Sequence, residues 1–358
     1  SANLDQTSPY IGGSLNISND PFVDRDSAGN IYVSYAGGYE KHSTGACPCS
    51  TDYKGLIFVQ KFNSSGVSQG RWYREIYSLL NVPDAAGQNP TNANAINSPV
   101  IHTTNSGTSY LLWGAPVDPL SIIPLRDYEP YVASITSGLS LLSGPTNVGG
   151  NVHRDFRGVP AFSLDIAGDK NGNVWVVWDD QVQKVTYTEP EGVIKMRKVA
   201  PALGTTVTVD TNMHRPQIEY AADGNLYVGR QRRGTELVPI SNLPFSNFVR
   251  ITKYNQSFAE LWEKDVAQGL GELSTESDDQ AREFTIETYG GDLILGFWKY
   301  VNPQGSYTDK SGVFAEKYSS ANGTKLWGPV AVSPDTSAYQ YPVNSSQFGV
   351  SNSFDTGI

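Results

Sequence analysis

Apolar and polar residues alternate with a period of two over short runs, and no long window keeps the 3.6-residue apolar period of a helix. Val313, Ala315 and Lys317 alternate with Phe314, Glu316 and Tyr318, which predicts a strand paired on both edges. Asn322-Gly323 reads as a short hairpin turn, and a second strand is predicted over 325–333. The same order of features recurs over 56–77, with Phe58, Gln60, Phe62, Ser65-Gly66 and Trp72. It recurs again over 249–267, with Ile251, Lys253, Tyr254 and Trp262. Repetition of this kind decides the architecture before any single element does.

Each unit opens with a short Pro-led strand, turns at a glycine and continues into a strand that carries an aromatic. Pro21-Phe22-Val23 leads through Asp26 and Gly29-Asn30 to Ile31 and Tyr32, and Pro99-Val100-Ile101 leads through Asn105 and Gly107 to Tyr110 and Trp113. Pro160-Ala161-Phe162 leads through Asp169 and Gly172-Asn173 to Trp175 and Trp178, and Pro216-Gln217-Ile218 leads through Asp223-Gly224-Asn225 to Tyr227. A fifth copy has Phe284 in place of the proline, and a sixth begins at Pro342-Val343. Starts near 21, 99, 160, 216, 284 and 342 predict an all-β fold, a single six-bladed β-propeller domain over 1–358. Two β-sandwiches in series would need Greek-key patterning that does not repeat at this interval. Residues 12–18 match 328–333, so 10–18 are expected to complete the last blade, closing it with strands from both termini. That blade remains one strand short. The missing strand comes from 4–10, from a longer chain, or from a neighbouring molecule, and the last case makes the protein self-assembling.

Composition supports strands and turns: Gly 35, Pro 21, Tyr 20, only 2 Met and 17% charged residues. A formal charge of −10 argues against a nucleic-acid backbone or an anionic membrane as partner. No apolar run reaches the roughly 18 to 20 residues that span a bilayer. The chain opens Ser1-Ala2-Asn3 without an initiator Met, which fits a processed secreted protein. Cys47 and Cys49 close a small ring within reach of disulfide geometry and are read as a local disulfide in an oxidising compartment. With His42 they lack the usual four-ligand metal set, so neither a metal nor a cofactor is expected.

The run Gly312-Val313-Phe314-Ala315-Glu316-Lys317-Tyr318, the turn Ser320-Ala321-Asn322-Gly323, and the strand from Leu326-Trp327-Gly328-Pro329 resemble the tandem repeats of large secreted and cell-surface proteins of bacteria. The resemblance is clearest over 249–343 and looser over 119–210. It implies a propeller outside the cell and implies no activity.

Candidate chemistry gathers before the first strands, where the mouth of a propeller would lie. Arg154, Arg157, His214, Arg215, Arg282 and Tyr339 would clamp an acidic sugar; alternatively they pair with Asp155, Asp179, Asp180, Asp278, Asp279 or Glu283 and join neighbouring blades. A sialidase is disfavoured because no turn ends in Thr-Trp. A lyase would use His214 or His153 as base. Asp169-Lys170-Asn171-Gly172-Asn173 reads as a turn rather than a calcium loop, because the bidentate Glu is missing. Most tryptophans read as core, and Arg230-Gln231-Arg232-Arg233 reads as a salt-bridged or solvated loop.

The expected function is an extracellular, non-enzymatic structural or adhesive propeller that assembles with itself into a surface filament by strand complementation. Two alternatives accompany it: a glycan-binding propeller with an axial Arg/His/Tyr site, and a polysaccharide hydrolase or lyase acting on acidic sugars. The expected partners are copies of the chain or surface glycans, with no nucleic acid and no membrane insertion.

Overall fold

The computed structural model describes residues 14–17, 21–42, 50–83, 99–116, 128–150, 152, 164–180, 192–211, 213–232, 248–266, 284–300 and 311–332. All regular structure among them is β, in five antiparallel sheets that follow chain order. The first sheet holds β1 (Ser14–Ile17), β2 (Phe22–Arg25), β3 (Ile31–His42), β4 (Ser50–Phe62) and β5 (Ser68–Pro83). The second holds β6 (Val100–Thr103), β7 (Ser109–Pro116), β8 (Tyr128–Ile135) and β9 (Leu141–Asn147). The third holds β10 (Leu164–Gly168), β11 (Val174–Asp179), β12 (Val193–Ala200) and β13 (Val207–Thr211). The fourth holds β14 (His214–Tyr220), β15 (Leu226–Arg232), β16 (Phe248–Tyr254) and β17 (Glu260–Val266). The fifth holds β18 (Phe284–Tyr289), β19 (Asp292–Tyr300), β20 (Ser311–Tyr318) and β21 (Lys325–Ala331).

Consecutive sheets pack face to face, and their alternating apolar residues close a core between each pair. Tyr32, Ile57 and Val59 meet Leu111 and Trp113; Leu112 and Val132 meet Leu164, Val176 and Trp178. Trp175 and Val177 meet Ile218 and Val228, and Tyr227 and Ile251 meet Phe284 and Leu295. The opposite face of the first sheet is apolar too, with Tyr35 stacked on Phe58 at 4.9 Å. Along the inner edge β2, β6, β10, β14 and β18 lie beside one another in that order. A row of first strands with sheets radiating from it is consistent with a β-propeller.

The turns between first and second strands explain the repeated Asp and Gly. Asp26 Oδ1 accepts from Ala28 N at 3.0 Å and Asn30 N at 2.9 Å, and Asp169 Oδ1 accepts from Asn171 N at 3.0 Å and Asn173 N at 2.8 Å. These are side-chain-closed turns, as the sequence predicts. Gly107 takes φ 79°, and a Cβ there would stand 2.7 Å from Tyr32 Oη, so the turn of the second sheet fits against the first only without a side chain. The Asn322-Gly323 hairpin is longer than expected: Ser319 N donates to Thr324 O at 2.8 Å across a six-residue loop.

Ser14–Ile17, expected in the last blade, pairs instead with Gly37, Gly38, Tyr39 and Glu40 of β3. The same edge of β3 pairs with β2 nearer its start, so β1 and β2 lie end to end. The long β3 thus holds Ser14–Ile17 in the first sheet rather than in the last blade. The rest of the expected last blade, from Pro342, falls outside the described residues, as do Cys47 and Cys49.

Candidate functional site

The first strands place one side chain each at an equivalent level. Asp24, His102, Ala167, Glu219 and Glu287 pair across to Tyr32, Tyr110, Trp175, Tyr227 and Ile294. Each sits near the end of its strand, and the period of two puts Phe22, Val100, Asp165, Gln217 and Thr285 on the same face one level away. Polar residues at buried positions need partners, and most find them on the next sheet. Asp24 Oδ2 accepts from Thr103 N, Asp165 Oδ2 accepts from Ile218 N at 3.0 Å, and Gln217 Oε1 accepts from Ile286 N at 3.1 Å. Gln217 Nε2 also donates to Phe284 O at 3.0 Å. These bonds latch the first, third and fourth inner strands to their successors.

Charge accumulates at this level. Lys170, from the turn after β10, reaches Asp24 Oδ1 at 3.3 Å and donates to Thr103 O at 3.2 Å. His102 Nε2 faces the Asp169 carbonyl at 3.4 Å, and burial lowers the ring's pKa despite Asp24 nearby. The imidazole is therefore neutral at neutral pH. Glu219 accepts from the Thr288 hydroxyl at 3.1 Å. Burial first, and the charge of Glu287 second, push the Glu219 carboxyl well above the usual range, against the pull of Thr288 and Lys170. The Glu287 carboxyl is pushed up to about 8 by burial and by Asp165, and its Oε1 is buried without a hydrogen-bond partner. Both glutamates are half-buried. Two neighbouring carboxyls with displaced pKa values are suited to donating and accepting protons.

Of the residues named from sequence, His214 takes the alternative role of joining neighbouring sheets. His214 Nδ1 lies 3.0 Å from Asp179 Oδ2, and Asp179 is fully buried, so the pair ties the fourth sheet to the third. Arg215 follows in a bulge of β14 with φ 51°. Arg154, Arg157, Arg282 and Tyr339 lie outside the described residues. Arg230, read as part of a loop, is buried in β15 and bonds Asp210 and Glu263 at 2.7 Å each and Thr252 Oγ1 at 2.7 Å. Trp113, Trp175 and Trp178 are core, while Trp327 is 41% exposed. Among the described residues no group of three His, Cys, Asp or Glu side chains has the arrangement to hold a metal ion. The axial carboxyls Asp24, Glu219 and Glu287 were not singled out from sequence. Their signal is a polar residue two places before the turn that opens with Asp26 or Ala221, visible once the units are aligned on that turn.

No family model matches the chain, and no curated protein matches it. Among solved structures, a thermostable family-43 glycoside hydrolase is 12% identical over 92% of this chain and 98% of its own, with a TM-score of 0.40. A glycosyl hydrolase from Bacteroides ovatus is 11% identical over 88% of each chain, with a TM-score of 0.38. A mutant levansucrase from B. megaterium is 9% identical over 89% of this chain and 86% of its own, with a TM-score of 0.42. The reading as a non-enzymatic structural or adhesive filament subunit is corrected on these findings. These three structures are described as glycoside hydrolases and a levansucrase, and Ser14–Ile17, which that reading placed in the last blade, pairs along β3 of the first sheet. At such scores the role of individual residues is argued from their chemistry alone.

Proposed function

We propose that the chain is a glycoside hydrolase acting outside the cell on a neutral polysaccharide, with Glu219 and Glu287 as acid and base at the axis of a six-bladed β-propeller. The observation that carries this reading is the pair itself: two carboxyls on neighbouring inner strands, both held above the ordinary range. Cleaving a glycosidic bond with two carboxyls requires one to hold a proton while the other is ionised. Glu219 keeps its proton beside a charged Glu287, and Glu287 ionises near 8. Glu219 gives its proton to the bridging oxygen as the C–O bond breaks. Glu287 takes a proton from the water whose oxygen bonds to the anomeric carbon, so one water is added across the bond. The Thr288 hydroxyl fixes the orientation of Glu219.

Charge favours a neutral substrate over the acidic sugars expected from the sequence. Among the described residues, Asp24, Asp165 and, once ionised, Glu287 gather near the ammonium of Lys170, in a chain of net charge −10. A polyanion would be repelled.

The test is release of reducing sugar from xylan, mannan and fructan. Turnover of at least one is expected, with a rate that climbs as pH rises towards about 8. Glu219→Gln and Glu287→Gln should each lower it by about 10²- to 10⁴-fold, and Glu260→Gln on the exposed outer strand should leave it unchanged. No turnover of any of them, or full activity in Glu219→Gln, would sink the assignment.

A further inference from the structure

In the first, third and fourth sheets the face that looks towards the next sheet repeats one set of contacts. Tyr32, Trp175 and Tyr227 are fully buried there, with Lys61, Lys198 and Lys253 over their rings at 5.4, 5.1 and 5.4 Å. Two of these lysines reach onward to a turn of the following sheet: Lys61 Nζ donates to Ser137 O at 2.8 Å, and Lys253 Nζ to Ser320 O at 2.7 Å. Tyr227 Oη at 3.4 Å and Trp262 Nε1 at 3.0 Å donate to the same Ser320 oxygen. Nearer the axis, Asp165 and Gln217 hold the backbone of the next inner strand.

The fifth sheet repeats these positions without their partners. Ile294 lies opposite Lys317, Lys317 opposite Trp327, and Ala315 opposite Val330, so these side chains share one face. Ile294, Val313 and Ala315 are half-buried where the matching Tyr227, Val249 and Ile251 of the fourth sheet are buried, and Trp327 and Val330 are 41% and 52% exposed. Thr285 stands where Gln217 stands in the fourth sheet, and its Oγ1 is buried without a hydrogen-bond partner. Asp165 and Gln217 at this level each hold the backbone of the next inner strand, so an orphan polar atom in the following position marks a missing neighbour.

We infer that this face of the fifth sheet, with Thr285, is a docking surface for residues 341–354 of the same chain. The chain leaves β21 at this edge and continues through 333–358, so the segment is tethered where it is needed. Pro342-Val343 repeats the opening of Pro216-Gln217, and Phe348, Val350 and Phe354 follow with the spacing of one apolar strand face. A strand from Pro342 beside β18 brings a backbone N–H to Thr285 Oγ1, as Ile286 N meets Gln217. Tethering gives this segment an effective concentration that a second copy lacks in dilute solution. The inference does not depend on the acid and base roles of Glu219 and Glu287.

A photoreactive benzophenone residue placed at Trp327, and separately at Val313, in the full chain tests it. Irradiated in dilute solution, both proteins should stay monomer-sized and yield cross-linked peptides from 341–354. Cross-links that join two chains assign the face to a second copy and overturn the inference, as do links to another segment or none at all. Val330→Asp should speed amide exchange over 341–346 about tenfold or more while leaving β14 and β15 unchanged. Unchanged exchange in that segment also overturns it.

Discussion

Glu287 makes the proposal measurable without a substrate. Its carboxyl is pushed from an ordinary 4.5 up to about 8 in the folded chain. Between those values the folded chain binds more protons than the unfolded one, so this group's contribution is complete below the lower value and is lost as pH rises through the upper. Glu287→Gln carries no such slope. Its melting temperature should exceed that of the parent at pH 8.5 by more than at pH 5, as calorimetry at both values would read. A difference that does not grow with pH places the carboxyl in an ordinary solvated setting. At this scale the sequence was legible where a side chain acts on its own loop. Asp169 closes its turn, and its many hydrogen bonds hold the carboxyl below the usual range although burial opposes it. The pairing of Asp179 with His214 follows the alternative in which these side chains join blades. Arg230 is salt-bridged as expected but buried in a strand rather than placed in a loop, because its partners lie on other strands and local pattern carries no information about them.

Inner strands are joined through side chains because they run beside one another without sharing a ladder. Gln217 serves both the amide of Ile286 and the carbonyl of Phe284, so Gln217→Leu buries two backbone groups without partners. The expected loss is about 2–4 kcal/mol in chemical denaturation. Gln217→Glu, which keeps the acceptor for Ile286, should lose less. Equal losses in the two variants would mean that packing rather than the hydrogen bonds holds the strand. Strand positions were readable from alternation, and units from their Gly turns. The ends of strands were not: Tyr35-Ala36-Gly37-Gly38 reads as the close of a strand, yet β3 runs on to His42 because β4 pairs with it throughout. That extension is what receives Ser14–Ile17.

For the whole molecule the decisive property is the sign of its charge. A net −10 with carboxyls near the axis should make the protein ignore polygalacturonate at low salt while it still takes a neutral glycan. Raising ionic strength should narrow that gap by screening, as isothermal titration with both polymers would read. Tighter binding of the polyanion at low salt would reverse the substrate class. Between the fourth and fifth sheets one contact is oversubscribed. Tyr227, Lys253 and Trp262 come from three different strands and end on a single carbonyl oxygen, that of Ser320. An acceptor with more suitors than lone pairs is indifferent to the loss of any one. Such a joint lets sequence drift at each donor in turn while the sheets stay in place, which is how repeats of one design grow unlike each other without coming apart.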